Sequence, residues 1–188
     1  MSGIAAACGG SEGAQTQRAP KATPVTAPSP PRLASNEGTT IVDGHAIIRQ
    51  DAVGPLRVGE WRRPVMSFVY VVSAHEEKDS TAIIVVRGIG KDTVTLAFSN
   101  DTLRRILVTR PGARTSDGIQ VGTRFDSVTA RRGATTVDRG KARVTSLDGL
   151  CGVRFATDSA ALSPDSIVRK PAPGAATVRA IAVDFCKK

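Results

Sequence analysis

The chain has 188 residues, enough for one domain or two small ones, and its 40% hydrophobic content is sufficient for a packed core. Only 4% of the residues are aromatic, so the core is predicted to be aliphatic and β-branched, a composition that favours strands. The net charge is +9, and no stretch approaches the roughly 18 apolar residues that a transmembrane helix requires. The sequence therefore does not predict a membrane-spanning helix.

The first residues resemble the end of a bacterial lipoprotein signal peptide. Small residues run up to Cys8, and Gly9, Gly10 and Ser11 follow it. In such signals the cysteine becomes the lipidated N-terminus, so the resemblance implies lipidation at Cys8 and a periplasmic or cell-surface location. The alternative is an alanine-rich start with an incidental cysteine.

Residues 9–38 are rich in Gly, Ser, Ala, Pro and Thr. A segment so poor in apolar side chains cannot offset its ordering entropy, which predicts an extended, disordered tether. The predicted first unit, residues 1–38, is thus the end of a lipoprotein signal and a linker.

An internal repeat is predicted beyond this tether. Residues 56–59 correspond to residues 119–122, and residues 102–108 correspond to residues 177–183, where Thr, Arg, Ile and Val recur at identical spacing. The predicted units are residues 39–112 and 113–188. The predicted class is α+β, with two related halves that each combine a short helix with an antiparallel sheet of about three strands.

The same order of elements is predicted in each half. Pro64 suits an early helical position in the first half, although the apolar run after it leaves a strand as an alternative. Thr123 is the predicted N-cap of the second helix, which buries Phe125 and Val128. The predicted strands are residues 81–86, 93–98 and 103–108, then 141–146, 152–156 and 178–185, with a hairpin turn at residues 88–91.

The three cysteines indicate an oxidising compartment. If Cys8 carries lipid, Cys151 and Cys186 remain, each on a predicted strand, and we predict a disulfide between them. Disulfides persist in exported proteins, which agrees with the lipoprotein signal. Two buried free thiols are the alternative.

No motif for catalysis, cofactor binding or metal binding is found. The Gly88–Thr93 segment does not fit a phosphate loop, because Val85 stands where the glycine five residues before Gly90 is required, and Asp92 stands where Ser or Thr is required. The two histidines, His45 and His75, have no partner at metal-ligand spacing and are predicted to lie on the surface. The chain is therefore predicted not to be an enzyme. A hydrolase-like enzyme of unrecognised type, with Asp and Arg side chains in a cleft between the halves, is the alternative.

Trp61, Arg62 and Arg63 are the predicted partner-binding residues, because Trp and Arg are enriched at interface hot spots. The alternative places the Trp61 ring in the core. One Trp, one Tyr and five Phe offer few stacking platforms, which argues against nucleic acid. Scattered basic residues leave two further interpretations, namely an electrostatic binder of anionic polymer or lipid and an ordinary solvated surface.

The segment Gly118–Thr123, followed by Val128 and Gly133, resembles a unit of the SmpA/OmlA family of small envelope lipoproteins. It is also similar to the secreted β-lactamase inhibitor proteins, which carry such an α+β unit twice. The resemblance implies an exported, non-enzymatic fold that binds proteins. The function predicted from the sequence is that of an envelope lipoprotein that binds a protein or cell-wall component and contacts the membrane only through its lipid.

Overall fold

Strands dominate the computed structural model, which describes residues 40–76, 80–139, 142–162 and 177–186. The predicted tether of residues 1–38 and the predicted lipidation at Cys8 lie outside the described residues. In chain order the elements are β1 (Ile41–Val42), β2 (His45–Arg49), β3 (Ala52–Val53), β4 (Leu56–Arg57), α1 (Arg62–Met66), β5 (Tyr70–Glu76), β6 (Thr81–Ile89), β7 (Asp92–Ser99), β8 (Thr102–Val108), β9 (Arg114–Thr115), α2 (Phe125–Thr129), β10 (Ala134–Arg139), β11 (Ala142–Leu147), β12 (Val153–Ala156), a 3-10 turn (Ser159–Leu162) and β13 (Ala180–Asp184).

The main feature is an eight-stranded antiparallel sheet in the order β10-β11-β12-β13-β8-β7-β6-β5. Its centre is the pair β8 and β13, in which Ile106 lies opposite Val183 and Ile181 opposite Val108. These four residues are related by the 75-residue offset of the predicted repeat, so the pairing has two-fold symmetry. The unit boundaries at residues 39–112 and 113–188 stay a prediction.

A smaller sheet contains the short strands β1 to β4, and β9 pairs with β2 in parallel. It packs on one face of the large sheet through Ile48, Val53 and Leu56, which are fully buried. Alternating residues of β6 and β7 supply the facing side chains of the same core, as a half-buried antiparallel strand requires. Val65 of α1 and Phe125 of α2 complete it.

The opposite face of the large sheet carries a second, smaller cluster. Ala156, Ala180 and Ala182 lie there beneath Leu162 of the 3-10 turn. Small side chains on these strands let the turn approach the sheet closely. Only the half of the sheet that includes β11, β12 and β13 is covered in this way by described residues.

The predicted fold class is wrong: the protein is mostly β, and the two α-helices among the described residues have five residues each. Each half contributes four strands to one continuous sheet. The sequence pattern missed β5 and β10 because both are edge strands with almost fully exposed residues, so neither shows an apolar alternation. The predicted N-cap is also wrong, since α2 begins after Arg124 without a side-chain cap.

The hairpin prediction is confirmed, because β6 ends at Ile89 and β7 begins at Asp92. The disulfide prediction is confirmed as well: Cys151 and Cys186 are bonded, with their Cα atoms 5.3 Å apart. The bond joins the start of β12 to the end of β13 and is consistent with an oxidising compartment. Among the described residues, no helix has the length and apolarity needed to cross a membrane.

Candidate functional site

The backbone before α1 holds Trp61 against the start of β8. Trp61 forms a β-bridge with Thr102, and the Arg62 N–H donates a hydrogen bond to the Asp101 carbonyl at 2.7 Å. Leu103 N–H donates to the Glu60 carbonyl at 2.8 Å. A well-anchored backbone thus carries a Trp side chain that is 66% exposed.

An open groove of about 470 Å³ runs beside this ring. It is lined by Trp61, Arg62, Arg63, Met66 and Asp101, and we call it the Trp61 groove. The structure therefore brings the three predicted partner-binding residues together at one surface. Whether they bind a partner stays a prediction.

The two arginines of the groove have different roles. Arg62 donates a hydrogen bond to Glu76 at 2.9 Å, lies 3.9 Å from the Asp101 carboxylate and stacks over the Phe98 ring. Arg63 is exposed and has no ion pair within the described ranges. Arg62 is therefore held in place, whereas Arg63 offers a free positive charge.

Edge strand β5 lies beside the groove, linked to it by the Arg62–Glu76 ion pair. All seven of its residues are exposed, including Tyr70, Val71 and Val72. The Tyr70 ring lies close to Gly88 of β6. The sequence did not identify this apolar strip, because Val72 belonged to the run after Pro64 that was interpreted as a helix, with a strand as the alternative.

His45 is partly exposed, and its Nδ1 lies 2.8 Å from Oδ1 of the buried Asp92, a partner that the sequence did not predict. A carboxylate of this kind orients the histidine of many catalytic triads. No hydroxyl or thiol is hydrogen-bonded to His45 among the described residues. The pair joins the first residue of β2 to the first residue of β7. His75 is exposed on β5, as predicted.

A second open groove, of about 880 Å³, lies near the disulfide and contains Arg104, Arg105, Arg154 and Asp184. Arg105 Nε donates to one Asp184 oxygen at 2.5 Å, and Arg154 Nε donates to the other at 3.0 Å. One carboxylate thus offsets part of the positive charge of two guanidinium groups. No set of three metal-ligating side chains is found in the part of the chain that the structure describes.

Glu60 is the acidic residue nearest to Trp61 in sequence. Burial raises the pKa of Glu60 above its ordinary value of 4.5, while the backbone and the positive charge of Arg57 oppose this shift. Its Oε2 atom is buried and has no hydrogen-bond partner among the described residues. The anchored backbone of Trp61 is therefore preceded by a poorly solvated carboxylate.

No protein-family model matches the chain, and no curated protein matches it. A solved structure that is similar is the uncharacterized protein yfeY from Escherichia coli, at 13% sequence identity and a TM-score of 0.49. The alignment covers 74% of this chain and 99% of that one.

Proposed function

We propose that this protein is a lipid-anchored binding module of the bacterial envelope, periplasmic or at the cell surface, whose partner is another protein. The disulfide and the lipoprotein-like sequence at Cys8 support the compartment. The module has no chemistry of its own in this proposal.

The observation that carries the proposal is the exposure of Trp61 at the rim of a groove that also presents Arg63. Burying an aromatic ring of this size contributes strongly to association, and Trp and Arg dominate interface hot spots. The hydrogen-bonded backbone on both sides of Trp61 fixes the point from which the ring projects before binding. A preorganised anchor loses little conformational entropy when a partner covers it.

Capture from envelope extracts tests the proposal. The full-length chain is immobilised as wild type, as Trp61→Ala and as Val137→Ala, and each is exposed to extract of the source organism's envelope. Val137 is a matched control, because it is an exposed apolar residue on β10, the other edge of the sheet.

We expect wild type and Val137→Ala to retain the same protein, in low and in high salt, and Trp61→Ala to lose it. Thermal melting of each variant shows that the fold is intact. Equal capture by Trp61→Ala would place the binding surface elsewhere. Capture of anionic polymer or lipid alone, lost in high salt, would instead support the electrostatic alternative.

A further inference from the structure

We propose that the bound partner presents an extended acidic segment, which adds to β5 as a ninth strand of the large sheet. This inference rests on the proposed function, since it requires a protein partner. It specifies the partner's conformation and charge.

The geometry of β5 supplies the first argument. Among the described strands, β5 is the last of the sheet and pairs with β6 alone. In an antiparallel pair, alternate residues direct their N–H and C=O groups away from the neighbouring strand. Because all seven residues are exposed, these outward groups are open to an added strand.

The residues of β5 supply the second argument. Edge strands are commonly protected by Lys, Pro, charged residues or β-bulges. From Tyr70 to Ala74 this strand has no Lys, Pro or charged residue, whereas the opposite edge, β10, carries Asp138 and Arg139. The bulge at Val72 interrupts the ladder with β6, and regular pairing resumes from Ser73 to Glu76. An added strand would thus pair along Ser73–Glu76, and its extension toward Tyr70 would pass beside Val72 and Val71.

Charge identifies the occupant. The chain beyond residue 38 has 23 basic and 15 acidic residues, so long-range electrostatics favours an acidic occupant over a second copy of this chain. Arg87 lies opposite Tyr70 in the register, is exposed and has no ion pair in the described ranges. At the other end, Arg63 faces solvent beside the Trp61 groove. Residues 77–79, which follow β5, are Glu, Lys and Asp and carry a net negative charge. An acidic residue of the partner is therefore attracted more strongly to Arg87, opposite the start of β5, than to the Glu76 end.

The Trp61 groove lies next to this edge, because Arg62 lines the groove and contacts Glu76 of β5. The Arg62–Glu76 ion pair joins α1 to the end of β5, with 2.9 Å between Nη2 and Oε1. A segment that leaves β5 at Glu76 therefore reaches Trp61. Backbone hydrogen bonds along β5 would set the direction of the segment, and Trp61 would anchor the partner residues beyond the added strand.

The test uses a blocked synthetic peptide that alternates valine and threonine between two terminal glutamates. Two matched peptides are N-methylated on alternate residues, so that each has one of its two hydrogen-bonding edges blocked. A fourth peptide has lysines in place of the terminal glutamates. Binding to the ¹⁵N-labelled full-length chain is followed by amide chemical shifts and by calorimetry.

We expect the glutamate peptide to shift amides of β5 and β6, and one of the two N-methylated peptides to bind about tenfold more weakly. The lysine peptide should also bind more weakly, and Arg87→Glu should reverse the preference between the glutamate and lysine peptides. Shifts elsewhere, no binding, or equal binding of all four peptides would overturn the inference. So would a concentration-dependent doubling of mass, because β5 would then be occupied by a second copy.

Ser73→Lys separates this inference from the proposed function, with Val137→Lys on the opposite edge as its matched control. If Trp61→Ala abolishes protein capture and Ser73→Lys preserves it, the proposed function stands and strand addition is excluded. If the glutamate peptide binds β5 while Trp61→Ala still captures the partner, the Trp61 groove is not the anchor. Arg87→Glu keeps the inference testable if Ser73→Lys fails to fold.

Discussion

The Nδ1 atom of His45 lies 2.8 Å from Oδ1 of Asp92, and the other oxygen of this carboxylate accepts the Ala46 N–H at 2.6 Å. His45 begins β2 in the small sheet, and Asp92 begins β7 in the large one. Gly112 makes room for the arrangement, since a Cβ there would overlap the Asp92 carboxylate. A buried carboxylate thus links the two sheets.

Replacement of Asp92 by Ala should lower the free energy of unfolding by about 3 kcal/mol, because the buried Ala46 N–H loses its acceptor and His45 its partner. Urea denaturation measures the change. Asp138→Ala on exposed β10 is the control and should stay within about 0.5 kcal/mol of wild type. Equal stability of the two variants would show that the link contributes nothing to folding.

Strands β6 and β7 could be predicted because their residues alternate between a buried and a half-exposed face. The edge strands could not, since neither face of β5 or β10 is buried. The His45–Asp92 hydrogen bond could not be predicted either, because the two residues are 47 positions apart. The sequence analysis considered Asp92 only as part of the Gly88–Thr93 segment. The two halves form one sheet because β8 pairs with β13. These strands are far apart in the sequence, so no local pattern predicts their pairing.

The candidate site was predictable in part. Trp61-Arg62-Arg63 stood out by residue type, but the sequence left open whether the ring was buried. Its exposure results from the bridge to Thr102 and the hydrogen bond to Asp101, which are tertiary contacts. The neighbouring β5 surface was missed together with the strand itself.

Glu60 should make stability depend on pH in a defined direction. Its pKa is raised in the folded state, chiefly by burial, so the folded protein binds the proton more tightly than the unfolded chain. The contribution of Glu60 to stability is therefore fully present below pH 4.5 and is lost as the pH rises through the folded-state pKa.

Glu60→Gln should consequently unfold at a higher temperature than wild type at neutral pH, and the difference should shrink in acid. Thermal melts across this range measure it. Glu76→Gln serves as the control, because its carboxylate is exposed and paired with Arg62. A Glu60→Gln melting temperature below that of wild type at neutral pH would contradict the burial effect.

Asp184 should matter more to stability than an exposed acid does. It separates the guanidinium groups of Arg105 and Arg154, and all three side chains are less than a third exposed. In Asp184→Asn the two cations face each other without a counterion, so we expect a loss of about 2 kcal/mol in urea denaturation. Glu76→Gln breaks an ion pair whose acid is 70% exposed and should cost less than about 0.5 kcal/mol. Equal losses would mean that the Asp184 network is screened like a surface pair.

The β1–β2 turn contacts the β6–β7 turn through the hydrogen bond from the Lys91 N–H to the Gly44 carbonyl. Gly90 and Gly118, which both have a positive φ, provide a test of this contact. Gly90 has a φ of +64° and Gly118 a φ of +85°, so alanine is strained at both and should cost about 1 kcal/mol for this reason alone. A Cβ at Gly90 would also overlap the Gly44 carbonyl oxygen, which accepts the Lys91 N–H at 2.7 Å, whereas nothing lies within 4 Å at Gly118. Because backbone atoms cannot move aside as a flexible side chain can, Gly90→Ala should lose about 2 kcal/mol more than Gly118→Ala in urea denaturation. Equal losses would show that the β1–β2 turn shifts freely over the β6–β7 turn, and the His45–Asp92 link would then be the stronger attachment between the two sheets.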